Sequence, residues 1–84
     1  MSIKILIIED TADIRESVVE ILQLAGHTVY EAGNGKEGVE LARSHLPDMV
    51  LCDMMMPELD GYGVLHMLGK APETATIPFI FLTA

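Results

Sequence analysis

Two periodicities alternate along this chain. Residues 3–8 (Ile-Lys-Ile-Leu-Ile-Ile) and 49–52 (Met-Val-Leu-Cys) are short, nearly continuous apolar runs, the pattern of strands buried on both faces of a parallel sheet. Residues 27–32 (His-Thr-Val-Tyr-Glu-Ala) form a weaker, more polar strand candidate. Residues 77–82 form a fourth, with Pro78 tolerable only near its start. Between these runs the apolar spacing becomes helical. Ile14, Val18, Ile21, Leu22 and Ala25 make one stripe, with Thr11 as its cap, Asp13 in the first turn and Gly26 as its stop. Asn34 and Glu37 resemble a capping box opening a helix to about His45. Val39, Leu41, Ala42 and Leu46 supply its buried side, and Pro47 ends it. A third helix from about Tyr62 to Lys70 buries Val64, Leu65 and Leu68, and residues 71–76 read as a polar connector.

The order is therefore βαβαβαβ in a single domain spanning residues 1–84, an α/β fold with a parallel sheet and right-handed crossovers. Parallelism has a chemical consequence. Glu9-Asp10, Asp53 and Thr83 follow three different strands and must share one edge of the sheet. If the first strand lies between the second and third, as in a flavodoxin-like doubly wound sheet, the crevice falls between strands one and three. Glu9, Asp10 and Asp53 then converge on it.

Three crowded carboxylates repel one another, and at least one pKa rises unless a cation is present. A hard, oxygen-seeking ion such as Mg2+ relieves that repulsion. A carboxylate neutralised in this way can act as a nucleophile toward phosphorus. The plainer reading of Asp53 is a strand-ending acid that favours a turn, and that of Glu9-Asp10 is a loop and helix start.

Composition narrows the partners. Five Lys+Arg against thirteen Asp+Glu give a formal charge of −8, which argues against direct nucleic-acid binding and against adhesion to anionic membrane. Half the residues are hydrophobic, so the chain is not disordered, and with two Phe, two Tyr and no Trp its core must be aliphatic and Met-rich. Cys52 is the single cysteine, which excludes an internal disulfide and fits a reducing cytoplasm. No apolar stretch approaches the roughly 18 residues of a membrane span, and the N-terminal residues lack a signal-peptide pattern. Other candidate motifs read as structural. His27, His45 and His66 lack ligand spacing, and the soft sulfurs of Met54-Met55-Met56 suit copper better than a hard ion, so loop packing is their expected role. Gly33-Asn-Gly-Lys-Glu-Gly38 lacks the Walker pattern and reads as a turn and helix start.

The set of Glu9-Asp10, Asp53 within Asp-Met-Met-Met-Pro-Glu-Leu-Asp-Gly, and the closing Phe-Ile-Phe-Leu-Thr-Ala resembles a response-regulator receiver domain of two-component signalling, similar to the chemotaxis receivers. The resemblance runs from Ile3 to Ala84 and implies roles. Asp53 is the phosphoacceptor, taking a phosphoryl group from a histidine kinase or phosphotransfer protein. Glu9, Asp10, Asp53 and the backbone carbonyl of Met55 hold Mg2+. Thr83 is the switch hydroxyl, and Pro57 and Gly61 shape the loop beside the site. A complete receiver catalyses its own phosphotransfer and autodephosphorylation.

The pattern stops after the fourth strand, without the last helix–strand–helix, its phosphoryl-contacting lysine and its aromatic switch residue. We therefore expect a truncated receiver, impaired in switching, that self-associates through the exposed fourth strand and an uncovered sheet face. Two alternatives stay open: a receiver-like interaction module that is never phosphorylated, and an Asp-nucleophile phosphatase. The latter wants a second acid two residues after the first, where Met55 stands.

Overall fold

A computed structural model describes residues 2–82. Four strands, β1 (Lys4–Ile8), β2 (Thr28–Ala32), β3 (Met49–Asp53) and β4 (Phe79–Leu82), form one parallel sheet in the order β2-β1-β3-β4. This is the flavodoxin-like order, with β1 between β2 and β3, on which the convergence of the three acids was conditional. Helices α1 (Ala12–Leu24), α2 (Gly35–His45) and α3 (Gly61–Gly69) connect the strands, with a one-turn helix α4 (Pro72–Ala75) after α3. No helix among the described residues is long and apolar enough to cross a membrane.

The sheet is central because β1 is apolar on both faces. Leu6 and Ile8 point with Val50 and Cys52 into one core layer, which Val39 and Ala42 of α2 and Val64 and Leu68 of α3 complete. Ile5 and Ile7 point the other way, where α1 packs over β1 and β2. The register aligns Ile7 with Leu51 and Leu51 with Ile80 across that second face. Along this row exposure rises from 0% at Ile7 to 48% at Ile80 as α1 is left behind.

The α1 stripe is accordingly only half realised. Val19 is the buried residue of the helix, Val18 and Leu22 are half-buried, and Ile14 and Ile21 are 49% and 65% exposed. Leu65 is likewise exposed, on the outer side of α3. Leu46 leaves the predicted core because the chain turns there through a left-handed residue (φ 45°) into buried Pro47.

Local hydrogen bonding also departs from expectation at two ends. The Thr11 side chain makes no capping bond to α1. Residues 71–76 contain α4 rather than an open connector, because Pro72 suits a first helical turn and the buried Thr74 hydroxyl donates to the Leu68 carbonyl at 2.6 Å. The Asn34 side chain does accept from the Glu37 N–H at 2.8 Å, as the cap pattern predicts. The histidines are structural where they are partnered: His27 Nδ1 accepts from the Ile3 N–H, and His45 stacks on Tyr30 at 4.2 Å.

Gly61 is the tightest point between the sheet and α3. A Cβ there would stand 2.5 Å from the Asp53 carbonyl, 3.0 Å from the Met54 Cα and 2.9 Å from the Phe81 ring. Gly69, at the other end of the same helix, faces open space. Gly61→Ala should therefore lower the urea midpoint by the equivalent of about 1–3 kcal/mol, the cost of overpacking. Gly69→Ala should leave stability unchanged or raise it by up to about 1 kcal/mol. Equal midpoints for the two variants would contradict this packing.

Candidate functional site

The register constructs the site. Ile8 pairs with Cys52, so the next residues, Glu9 and Asp53, leave β1 and β3 side by side at the carboxyl edge. Carboxylate oxygens of Glu9, Asp10 and Asp53 all lie within 4.8 Å of one another. The three acids singled out from the sequence are thus brought together. Glu9 is only 4% exposed, Asp53 is half-buried and Asp10 is open to solvent.

Main-chain groups hold the acids in place. Glu9 Oε2 accepts from the Thr11 N–H at 3.1 Å, so this carboxylate takes one of the free N–H groups at the start of α1. Asp53 Oδ1 accepts from the Met55 N–H at 3.3 Å, which wraps the β3–α3 loop around the acid. Met55 itself is exposed, while Met56 is buried in the loop packing expected of the methionine run. The loop closes with the Gly61 N–H on the Met54 carbonyl and Asp60 capping α3, its Oδ1 accepting from the Gly63 N–H at 2.8 Å. Between them Glu58 adopts a left-handed backbone (φ 68°). Pro57 and Glu58 face Asp10, Gly33, Asn34 and Lys36 across a groove of about 270 Å³. Thr83 lies outside the described residues.

Repulsion in the cluster is expressed at Glu9. Burial raises its pKa above the usual value, the Thr11 N–H opposes the shift, and hydrogen bonding with Asp10 and the charge and contact of Asp53 push it further up. Among the described residues no Lys or Arg forms an ion pair with any of the three carboxylates. Neighbouring Cys52 is fully buried, and burial with the charges of Asp53, Glu9 and Asp60 pushes its thiol up to about 12. An all-oxygen donor set of this kind, charged and uncompensated, fits a hard divalent cation.

Two residues around the site were not singled out from the sequence. Asp60 was legible as an Asp before a helical pattern, a common cap signal. Arg15 was not: its Nη1 donates to the Glu9 carbonyl at 2.8 Å and its Nε to Glu31 Oε1 at 3.2 Å. The only sequence signal is a lone cation in α1.

The raised Glu9 pKa has a stability consequence with a definite sign. The folded state binds the Glu9 proton more tightly than the unfolded state, so this group favours folding at low pH, and that contribution is lost as pH rises through the folded pKa. Glu9→Gln keeps an acceptor for the Thr11 N–H but removes the charge. Without divalent cations it should raise the thermal midpoint at pH 7 by a few degrees, with the gain vanishing as pH falls to the usual glutamate range. A midpoint difference independent of pH would contradict the assignment.

Comparison with known proteins agrees with this geometry. Residues 5–84 match the family model described as "Response regulator receiver domain". Protein PilH of Pseudomonas aeruginosa is 41% identical over 80 residues, which span 95% of this chain and 66% of PilH. A "Probable transcriptional regulator ycf27" of Guillardia theta is 41% identical over 81 residues, 96% of this chain but 31% of that protein. The chain therefore spans less than two thirds of the length of either relative. The solved N-terminal domain of a response regulator receiver protein from Methanoculleus marisnigri JR1 superposes with a TM-score of 0.93 at 34% identity, covering 98% of this chain and 67% of that one. The receiver domain of sensor histidine kinase PA1611 from Pseudomonas aeruginosa PAO1, solved with a magnesium ion coordinated in its active site cleft, gives 0.89 at 29% identity, covering 100% and 69%. With its parallel four-stranded sheet, its acidic edge and a family match across nearly its whole length, the chain belongs to the response regulator receiver domains of two-component systems.

Proposed function

We propose that Asp53 is a phosphoacceptor, charged by the phosphohistidine of a histidine kinase or phosphotransfer protein, and that Glu9, Asp10, Asp53 and the Met55 carbonyl hold Mg2+ beside it. The observation that carries this reading is the uncompensated cluster of three carboxylates within 4.8 Å at the edge between β1 and β3. Bound there, the cation would neutralise charge on the acids and on the transferring phosphoryl oxygens.

The residues of the chain divide the remaining work. An Asp53 carboxylate oxygen forms the new P–O bond while the P–N bond of the phosphohistidine breaks, and the released imidazole nitrogen takes up a proton. The Met55 N–H on Asp53 Oδ1 orients the nucleophile and leaves Oδ2 for attack. The Thr11 N–H holds Glu9 in the cluster. Thr83, next after β4, is proposed as the hydroxyl that meets the phosphoryl group after transfer. A cytoplasmic location accompanies a donor of this kind.

The test is intact-mass analysis after incubation with acetyl phosphate, with and without Mg2+. One phosphoryl adduct should appear only with the cation and be absent from Asp53→Asn. An adduct that survives in Asp53→Asn would move the acceptor elsewhere. Folded protein that takes no adduct would overturn the phosphoacceptor reading in favour of a docking module.

A further inference from the structure

Among the described residues, Arg15 is the one cation that reaches the acidic edge through a main-chain group. Its guanidinium, from the start of α1, bonds two segments at once and passes close to a third. Nη1 donates to the Glu9 carbonyl at 2.8 Å, Nε donates to Glu31 Oε1 on β2 at 3.2 Å, and Nη1 lies 3.4 Å from where a Cβ on Gly33 would stand. The Glu9 N–H meanwhile donates to the Ala32 carbonyl of β2 at 3.1 Å. Glu9 is thus held on both sides of its backbone, by β2 on one and by a guanidinium anchored to β2 on the other.

The Glu9 carbonyl belongs to the peptide unit that joins Glu9 to Asp10. That unit is planar, so fixing its oxygen fixes the direction in which Asp10 leaves the strand. Asp10 is the exposed acid of the cluster and has the least packing of its own to hold it. We infer that Arg15 is a positioning residue for the cation site: it locks the Glu9–Asp10 peptide so that the Asp10 carboxylate already faces Glu9 and Asp53 when Mg2+ arrives. The inference rests on the Mg2+ reading above. It assigns Arg15 no contact with the cation or with the phosphoryl group.

The sign of the effect separates positioning from charge. Arg15 carries a positive charge close to an acidic site, so by electrostatics alone its removal should tighten Mg2+ binding. Loss of an orienting partner should weaken it, by about tenfold or more where outer-shell partners have been removed from metal sites. Arg15→Met keeps the aliphatic stem and deletes both donors. Arg15→Lys has a single donor group that cannot span Glu9 and Glu31 together.

The experiment is calorimetric Mg2+ titration of wild type, Arg15→Met, Arg15→Lys, Glu31→Ala and the Arg15→Met/Glu31→Ala double variant, with thermal melts and metal-free amide NMR spectra of each. Arg15→Met should bind Mg2+ about tenfold more weakly while still folded, with Lys intermediate. Glu31→Ala should weaken binding less, and add nothing in the Arg15→Met background, because the anchor matters only through the guanidinium. Metal-free amide shifts should move at Asp10 and Thr11. Equal or tighter binding by folded Arg15→Met would overturn the inference, as would a fall in melting temperature without a change in affinity. A wild type that binds no Mg2+ would remove the metal reading itself, a result distinct from equal binding by wild type and variant. If Arg15→Met does not fold, Arg15→Lys and Glu31→Ala decide the matter by the same comparison.

Discussion

Everything at the acidic edge depends on one imposed proximity: β1 and β3 are parallel neighbours, and each continues past its last apolar residue into an acid. Two like charges about 4 Å apart repel by about 1 kcal/mol in water and about 4 kcal/mol at the effective dielectric of a protein surface. A flexible chain would relieve this by moving the groups apart. This one cannot, because the residues before them, Leu6 to Ile8 on β1 and Val50 and Cys52 on β3, are fully buried. Each of the Leu, Ile and Val side chains among them contributes about 1.5–3 kcal/mol by leaving water, so the core readily outweighs the repulsion it enforces. Strain appears where relief is least available, at the buried Glu9.

The loops do for direction what the strands do for distance. Glu9 is tied to Thr11 and Arg15, Asp53 to Met55, and the β3–α3 loop to Asp60 and to the close passage at Gly61. Most of these bonds run from a side chain to a main-chain group. That matters for a site of three acids, because a side chain fixed by the backbone of its own loop keeps its orientation without a counter-charge that would compete with a cation for the carboxylates. Arg15 fits the same logic: it contributes its donors to a carbonyl and to Glu31, outside the cluster, and forms no ion pair with the three carboxylates.

What the sequence revealed and what it hid divide along the same line. Strand identity and the shared carboxyl edge were legible because period and parallelism determine them without knowledge of any particular contact, whereas the strand order, and with it the meeting of Glu9, Asp10 and Asp53, rested on analogy with doubly wound sheets. The α1 stripe was legible as a stripe, but periodicity says which residues share a face and not what covers that face. Hence Ile14 and Ile21 stand exposed, while Val19, one position off the stripe, is the buried residue. Thr11 has the right side chain for a cap, yet the start of α1 lies beside a carboxylate that the sequence cannot place there. Arg15 was hidden for a similar reason. A lone arginine declares its charge, but its reach to a carbonyl six residues earlier exists only once β1, α1 and β2 are assembled. The turn at Leu46 and the Thr74 bond that closes α4 on α3 are likewise products of tertiary position rather than propensity.

The proposed choice of Asp53 over Cys52 as nucleophile shows how a two-residue period becomes chemistry. Cys52 and Asp53 are adjacent, and in free solution a thiol is the more reactive nucleophile once ionised. The pleat sends consecutive side chains to opposite faces, so Cys52 enters the sealed layer between the sheet and α2–α3 while Asp53 lies at the edge. Burial first, and the charges of Asp53, Glu9 and Asp60 after it, hold the thiol protonated, and its S–H donates to the Asp53 carbonyl at 3.2 Å. The same acids that make the edge attractive to a cation thus suppress the competing sulfur, and a register slip of one residue would carry Cys52 out of the sealed layer. The geometry of the strand thus leaves a carboxylate at the edge and seals the thiol away, which is the arrangement the proposed phosphoacceptor role of Asp53 requires.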